Sequence, residues 1–157
     1  MGFEWLKFLH VVTIIFTVTL AEGYILGLLL ASRRRDVQTL RVLIAASDVS
    51  DRASNPLLIL AILFGIGAAL TGQISLTAPW LVASYVVLVA GFAGIGLFGG
   101  FRHIERIKEA SLASPVNPPS DELVALLEHP WTAAVTYLPP LVMASVVYLM
   151  VVKPQLW

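Results

Sequence analysis

Four long apolar stretches in a chain of 157 residues constrain this protein more than any other feature of its sequence. A helix that crosses a bilayer needs about 20 predominantly apolar residues. Stretches suited to this lie at about residues 5–31, 53–70, 80–101 and 131–152. Hydrophobic residues make up 58% of the chain, charged residues 13%, and the mean hydropathy is +0.86, which is unusual for a soluble domain. The sequence therefore predicts an all-α integral membrane protein, a single four-helix bundle over residues 1–157.

The links between these stretches differ in character. The link over residues 33–54 carries charges, yet its apolar residues recur on one helical face. These residues are Val37, Leu40, Leu43 and Ile44. Their spacing predicts an amphipathic cytoplasmic segment that lies at the membrane surface. Residues 111–120 contain three prolines and predict an irregular loop, and Ser120 predicts the N-cap of a short helix that ends near His129.

The basic residues are distributed unevenly between the two ends of the predicted bundle. Eight follow the first or third apolar stretch: Arg33, Arg34, Arg35, Arg41, Arg52, Arg102, Arg106 and Lys108. Only Lys7 and Lys153 lie at the opposite end. Short loops rich in Lys and Arg are retained in the cytoplasm. Both termini are therefore predicted to lie outside, on the periplasmic side.

Small residues recur at a spacing of four in three of the apolar stretches, and this spacing allows helices to approach closely in lipid. The pairs are Gly23 with Gly27, Gly65 with Ala69, and Gly96 with Gly100. They favour contacts within the bundle, or with a second membrane protein or another copy of the chain. Two adjacent prolines, Pro139 and Pro140, predict a kink in the last helix.

Glu22 is the one ionisable residue that the sequence places near the middle of the bilayer. A charge there costs at least ~2.5 kcal/mol, so such residues usually have a partner or a function. A neutral acid that bridges two helices, a proton relay or substrate contact, and a contact with another subunit or lipid all remain open.

His10 is a candidate ligand near the outer end of the first helix. Met150 lies a few residues inside the outer end of the last helix, and a histidine with a methionine is a known pair of haem ligands. A hydrogen-bonded His10 and a packed Met150 are the simpler alternatives. His103 is predicted to lie on a solvated helix face and His129 at the cytoplasmic boundary. The chain has no cysteine and a net charge of zero, so neither a thiolate metal site nor nucleic acid binding is indicated.

Three segments carry a family resemblance: residues 6–12, residues 48–56 and residues 148–154, together with the basic tract after the first helix. Through them the chain resembles a bacterial family of predicted integral membrane proteins of unknown function. That family is similar to the membrane-bound, haem-containing protoporphyrinogen oxidases and to CopD-type copper-resistance membrane proteins. The oxidases place a haem-ligating histidine in a KxLH context. The resemblance therefore implies His10 as an axial ligand of haem b, with Met150 as its candidate partner.

The chain also departs from these relatives. The oxidases have a second histidine soon after the first helix, where residues 31–35 here read Ala-Ser-Arg-Arg-Arg. They have an Asn-Glu-x-Pro element where residues 136–140 read Thr-Tyr-Leu-Pro-Pro. CopD-type proteins are expected to show more histidine and methionine at the outer face. The sequence contains no HExxH-type spacing and no recognisable nucleophile with its base, so an enzyme is not the leading hypothesis.

Three hypotheses follow from the sequence. The leading one is a non-catalytic accessory or assembly subunit of a larger bioenergetic or transport complex in the bacterial inner membrane. The second is a haem b-binding redox protein that uses His10 and Met150. The third is a small metal- or proton-coupled transporter that uses Glu22.

Overall fold

The architecture is a set of long helices with two short ones at one end. A computed structural model describes residues 2–154, except for the side chains of residues 21–28 and 51. The helices are α1 (Gly2–Arg34), α2 (Val37–Thr71), α3 (Pro79–Leu97), α4 (Gly100–Ala113), α5 (Asp121–Glu128) and α6 (Pro130–Val152). No strand occurs in the described residues. Four segments are long and apolar enough to cross a membrane: Gly2–Leu20 of α1, α2, α3 and α6. The prediction of four apolar membrane helices is confirmed.

The four spanning helices associate as two pairs, α1 with α2 and α3 with α6, and α1 also contacts α6 over a smaller area. Glycines permit the close approach within each pair. A Cβ added at Gly91 of α3 would lie 2.5 Å from Cγ2 of Val142 in α6, and one added at Gly72 would lie 2.4 Å from Cε2 of Phe3 in α1. Because these two positions carry no side chain, the helix backbones can approach each other closely.

Helix α2 is much longer than a bilayer requires. Its 35 residues span about 52 Å at 1.5 Å per residue, whereas the hydrocarbon core is about 30 Å thick. The helix begins at Val37 because Asp36 caps it, accepting a hydrogen bond from the Thr39 amide at 3.0 Å. The segment predicted to lie at the membrane surface is thus continuous with the second span, and Pro56 lies inside the helix.

The first half of α2 contributes to a small apolar core at one end of the molecule. Residues 31–52 together with α4 and α5 are called the cap below. The buried core of the cap consists of Ala31, Val37, Leu40, Ile44, Ile107, Ala110, Leu123 and Leu126. The apolar face expected to lie on the membrane surface is therefore buried against α4 and α5, because those two helices present apolar faces of their own.

Arg41 joins two helices of the cap by capping the end of α4. Its Nε donates to the carbonyl of Ser111 at 2.8 Å, and its Nη2 donates to the carbonyls of Leu112 and Ser114. The last carbonyls of a helix have no partner within the helix. The guanidinium of Arg41 supplies those partners from α2, so the cap is held by polar as well as apolar contacts.

Two boundaries near the cap differ from the sequence expectations. Helix α3 ends at Leu97 rather than near residue 101, because Gly99 adopts a left-handed conformation with φ of 87° that breaks the helix and favours glycine. Helix α4 then extends to Ala113, which shortens the irregular loop. The predicted cap of α5 is confirmed, since the Ser120 hydroxyl accepts from the Leu123 amide at 3.3 Å. Helix α6 remains helical through Pro139 and Pro140.

Candidate functional site

His10 lies on the face of α1 that packs against α2. Its Nδ1 is 2.7 Å from the carbonyl oxygen of Ala61. A carbonyl oxygen can only accept a hydrogen bond, so the proton is on Nδ1. In the neutral ring, Nε2 then carries the free lone pair. The contact with α2 thereby selects the tautomer of His10.

Gly65 makes this contact possible. The carbonyl of Ala61 is also the helical acceptor for the Gly65 amide, and a side chain at residue 65 would cover it. A Cβ built there would lie 2.9 Å from both Cε1 and Nδ1 of the His10 ring. The predicted pair of small residues on α2, Gly65 and Ala69, therefore serves a contact within the chain. The group that contacts Gly65 is the imidazole ring of His10.

The second nitrogen of His10 is available to a ligand. No hydrogen bond joins Nε2 to the described residues, and no buried side-chain nitrogen or oxygen among them lacks a partner. Nε2 is therefore accessible from outside the described part of the bundle. A histidine whose Nδ1–H is held by a carbonyl and whose Nε2 is free has the arrangement common among metal-bound histidines.

Met150 lies in the last turn of α6 and is half-buried. Helices α1 and α6 do touch, as a shared ligand site requires. The polar contact of His10 is nevertheless with α2, and in the described part of the chain no hydrogen bond links His10 to Met150. The pairing of these two residues remains a prediction.

The side chain of Glu22 and the surroundings of Gly23 and Gly27 lie outside the described part of the structure. The expectations for an intramembrane acid and for a glycine face on α1 therefore stay predictions. The predicted pair Gly96 and Gly100 falls within the described residues, with Gly96 in α3 and Gly100 at the start of α4. Gly96 lies against the ring of Phe101, and Gly100 against Ile95 and Val135, so both make contacts within the chain.

A second histidine site lies at the junction of α4, α5 and α6. The prediction that His103 lies on a solvated helix face is wrong. His103 is buried, at 7% exposure, not solvated. The Thr132 hydroxyl donates its one proton to the carbonyl of Leu126 at 2.7 Å, so it accepts from Nε2–H of His103 at 2.8 Å. This chain of hydrogen bonds ties together three helices.

His129 is exposed beside this buried site. Its Nδ1 accepts a hydrogen bond from the Trp131 amide at 3.1 Å and caps the start of α6. The centroids of the His103 and His129 rings are 5.0 Å apart. Burial lowers the pKa of His103, and the nearby His129 and Arg106 lower it further. His103 therefore favours the neutral form.

The spacing along α4 contained the signal that His103 is buried. His103, Ile107, Ala110 and Ser114 recur at intervals of four, three and four residues, the pattern of a buried helix face. All four are buried. The charged residues Arg102, Glu105 and Glu109 are exposed on the other side of α4. Residues adjacent in a helix point in different directions, so these charges do not imply that His103 is solvated.

The described residues contain no group of three His, Asp or Glu side chains placed to hold a metal ion. His10 therefore stands as a single donor in the described part of α1 and α2, while His103 has both a partner and a buried location. Of the two histidine sites, only the one at His10 presents a free ring nitrogen at the level of the spans.

Comparisons with known proteins agree with this architecture. Neither the curated proteins nor the solved structures yielded a match to the chain. A family described as "Predicted integral membrane protein (DUF2269)" matches residues 4–154, which include the four spans, the cap and both histidine sites. The chain belongs to this family of predicted integral membrane proteins.

Proposed function

We propose that this protein is a haem b-binding redox protein of the membrane, with Nε2 of His10 as an axial ligand. The observation that carries the proposal is the 2.7 Å hydrogen bond between His10 Nδ1 and the Ala61 carbonyl. It holds the ring in the tautomer that ligation requires, leaving the Nε2 lone pair free. The sequence favoured an accessory subunit, but because of this hydrogen bond we favour haem binding.

The donor chemistry of the site fits a haem on one side. His10 would supply the imidazole, the Ala61 carbonyl orients it and increases its basicity, and Gly65 leaves room for the ring against α2. Met150 would be the candidate for a second ligand. When bound, haem supplies one-electron transfer, at a potential set by its axial ligands and by burial.

Optical spectroscopy of the purified protein tests this proposal. We expect a Soret band, either as isolated or after addition of haem, that is lost in His10→Ala and altered in Met150→Leu. His129→Ala is the matched control because it removes an exposed histidine at the other end of the molecule. A wild-type preparation without a Soret band after haem addition, or an unchanged band in His10→Ala, contradicts the assignment.

A second candidate function is an accessory or assembly subunit of a larger bioenergetic or transport complex. It is favoured by the low burial within the spans, where only 6% to 22% of the residues are buried in the protein itself. An open groove on α6 adds a surface that another membrane helix fits. Its lining residues are Leu141, Ala144, Ser145, Tyr148 and Leu149. Purification through a tag in mild detergent tests this role, and a monomer without a co-purifying protein contradicts it.

We further infer that the protein lies in the bacterial inner membrane with both termini outside. The support is the position of eight basic residues at the end of the molecule that carries the cap. Because the chain has no cysteine, single cysteines introduced at Gly2 and Leu112 can be labelled without background. We expect an impermeant thiol reagent to label residue 2 in intact spheroplasts and residue 112 only after lysis; the opposite pattern reverses the orientation.

A further inference from the structure

In the cap, the side of α2 that faces away from the buried core is apolar. Val42 and Val49 lie two turns apart on this side and are 64% and 68% exposed. At about 100° per residue, Val42 lies about 160° around the helix axis from the buried residues Leu40 and Ile44. Exposed alanines complete the same side of the helix. The surface is called the outer face of α2 below and consists of Val42, Ala45, Ala46, Val49 and Ala53.

The charged residues beside the outer face are turned toward α4. Arg41 and Asp48 each precede one of the two valines and therefore point about 100° away from it. Nε of Arg41 donates to the carbonyl of Ser111 at 2.8 Å, and Asp48 pairs with Lys108 at 2.9 Å. These contacts fix the orientation of α2 about its own axis. The outer face is thus free of charged side chains and lies to one side of the contact with α4.

The exposed side of α4 has the opposite character. It carries Arg102, Glu105, Arg106 and Glu109, as expected of a helix whose outward side meets water. The outward side of α2 presents only valine and alanine over the same part of the cap. Contiguous exposed apolar surface of this kind marks a site of interaction with a protein or a membrane. The cap therefore has a polar side along α4 and an apolar side along α2.

The outer face continues into the spanning half of the same helix. Leu60 follows Val49 by eleven residues, which places it about 20° around the axis, and it is exposed as well. Residues 53–70 contain no Asp, Glu, Lys or Arg. From Val42 to Leu70 the helix measures about 42 Å, which exceeds the hydrocarbon core of about 30 Å but matches a bilayer of about 40–45 Å with its headgroups. Lipid that surrounds the span therefore also reaches the outer face.

We propose that the outer face of α2 contacts lipid at the boundary between headgroups and acyl chains, so that the cap is attached to the membrane along α2. Apolar faces of interfacial helices are buried at this depth. Val42 and Val49 gain free energy by leaving water, while Arg41 and Asp48 keep their contacts with α4. The segment then lies at the membrane surface through the face opposite to the one expected from its sequence. This inference is independent of haem binding.

Spin labels on single introduced cysteines test the proposal, because the chain has no cysteine of its own. Full-length Val49→Cys is reconstituted in phospholipid nanodiscs and compared with Leu63→Cys in the span and with Glu109→Cys on α4. Glu109 is the matched control, since it follows Lys108, the partner of Asp48, and lies at nearly the same level of the cap as Val49. All three substituted residues are exposed, so the variants are expected to fold.

Electron paramagnetic resonance measures how often each label collides with oxygen, which concentrates in lipid, and with a nickel chelate, which stays in water. We expect the ratio of oxygen to nickel collisions to be severalfold higher at residue 49 than at residue 109, and to approach the ratio at residue 63. Val42→Cys, on the same face, should also exceed residue 109.

Two results overturn the proposal. A ratio at residues 42 and 49 as low as at residue 109 places the outer face of α2 in water. Few collisions with both reagents at residues 42 and 49 mean that protein covers this face, either a second copy of the chain or another membrane protein, and not lipid.

Discussion

The cap and the spans bury their side chains to very different extents. In the cap, Leu40 and Leu123 are 1% and 0% exposed, as in a soluble protein core. In the spans, leucines such as Leu63, which is 57% exposed, face outward. Water drives the burial of apolar side chains, whereas lipid is as apolar as a leucine and provides no such drive. The burial of apolar side chains in this fold is concentrated in the cap.

Polar contacts differ between the two regions in the same way. In α1, the hydroxyls of Thr13 and Thr17 bond to carbonyls of their own helix, and His10 bonds across to α2. In the cap, Arg41 and His103 link separate helices through side chains. The spans thus depend on close backbone approach at glycines, and the cap on a network that fixes three helices against one another.

Shortening a leucine in each region gives the sharpest test of this contrast. Leu40→Ala removes a fully buried side chain of the cap, and such changes cost about 2–5 kcal/mol because a cavity remains. Leu63→Ala removes a lipid-facing side chain of the same helix and should cost much less. Chemical unfolding in nanodiscs measures both. Equal losses for the two variants contradict a stability difference between cap and spans.

Removing the guanidinium of Arg41 tests the polar side of the cap. Arg41→Ala leaves the last carbonyls of α4 without their partner, and we expect a loss of about 2 kcal/mol. Hydrogen exchange at the end of α4 should rise with it. Arg35→Ala is the control, because its ion pair with Glu128 is exposed and such pairs contribute at most about 1 kcal/mol. Equal losses of stability in Arg41→Ala and Arg35→Ala would contradict a specific contribution of Arg41.

The spans were predictable from sequence because a helix that crosses lipid must satisfy its backbone hydrogen bonds internally and must be long and apolar along its whole length. The N-cap at Ser120 was equally local, since the capping bond to Leu123 is only three residues away. The path of α2 was not predictable in this way. Charges between residues 33 and 52 resemble a surface segment, and only the distant α4 and α5 determine that this half of the helix projects into a core.

The histidine sites show the same limit. Sequence position suggested His10 as a ligand candidate, but its partner at Ala61 lies 51 residues away and depends on the absence of a side chain at Gly65. The prediction that His103 is solvated was wrong. The contact of His10 with a distant segment is absent from any local pattern, whereas the burial of His103 is indicated by the helical spacing along α4.

Adding one methyl group at Gly65 tests how far the spans depend on close approach. Gly65→Ala brings a Cβ within 2.9 Å of the His10 ring, so the ring must move and its bond to Ala61 weakens. We expect a loss of about 1–3 kcal/mol. Gly94→Ala is the control, because a Cβ there meets nothing within 4 Å. In a His10→Ala background the cost of Gly65→Ala should fall sharply; additive costs would mean that the two residues do not interact.

The smallest expected effect is the pH dependence contributed by His103 in the cap. Burial, His129 and Arg106 lower its pKa from the ordinary 6.5 in the folded state. As pH falls through 6.5, the unfolded chain therefore binds more protons, and the folded state loses stability until the pH passes below the folded pKa. Unfolding measured from pH 7.5 to 5.5 should show this decline.

His103→Gln isolates that contribution, because glutamine retains an N–H donor for Thr132 but does not titrate. The decline between pH 7.5 and 5.5 should be shallower in this variant. Since His103 lies in the cap, the opening free energies obtained from hydrogen exchange, corrected for slower intrinsic exchange at lower pH, should fall first in α4 and α5 of the wild type. Identical pH profiles would show that the pKa of His103 is the same in the folded and unfolded states, and would contradict the effect assigned to its burial.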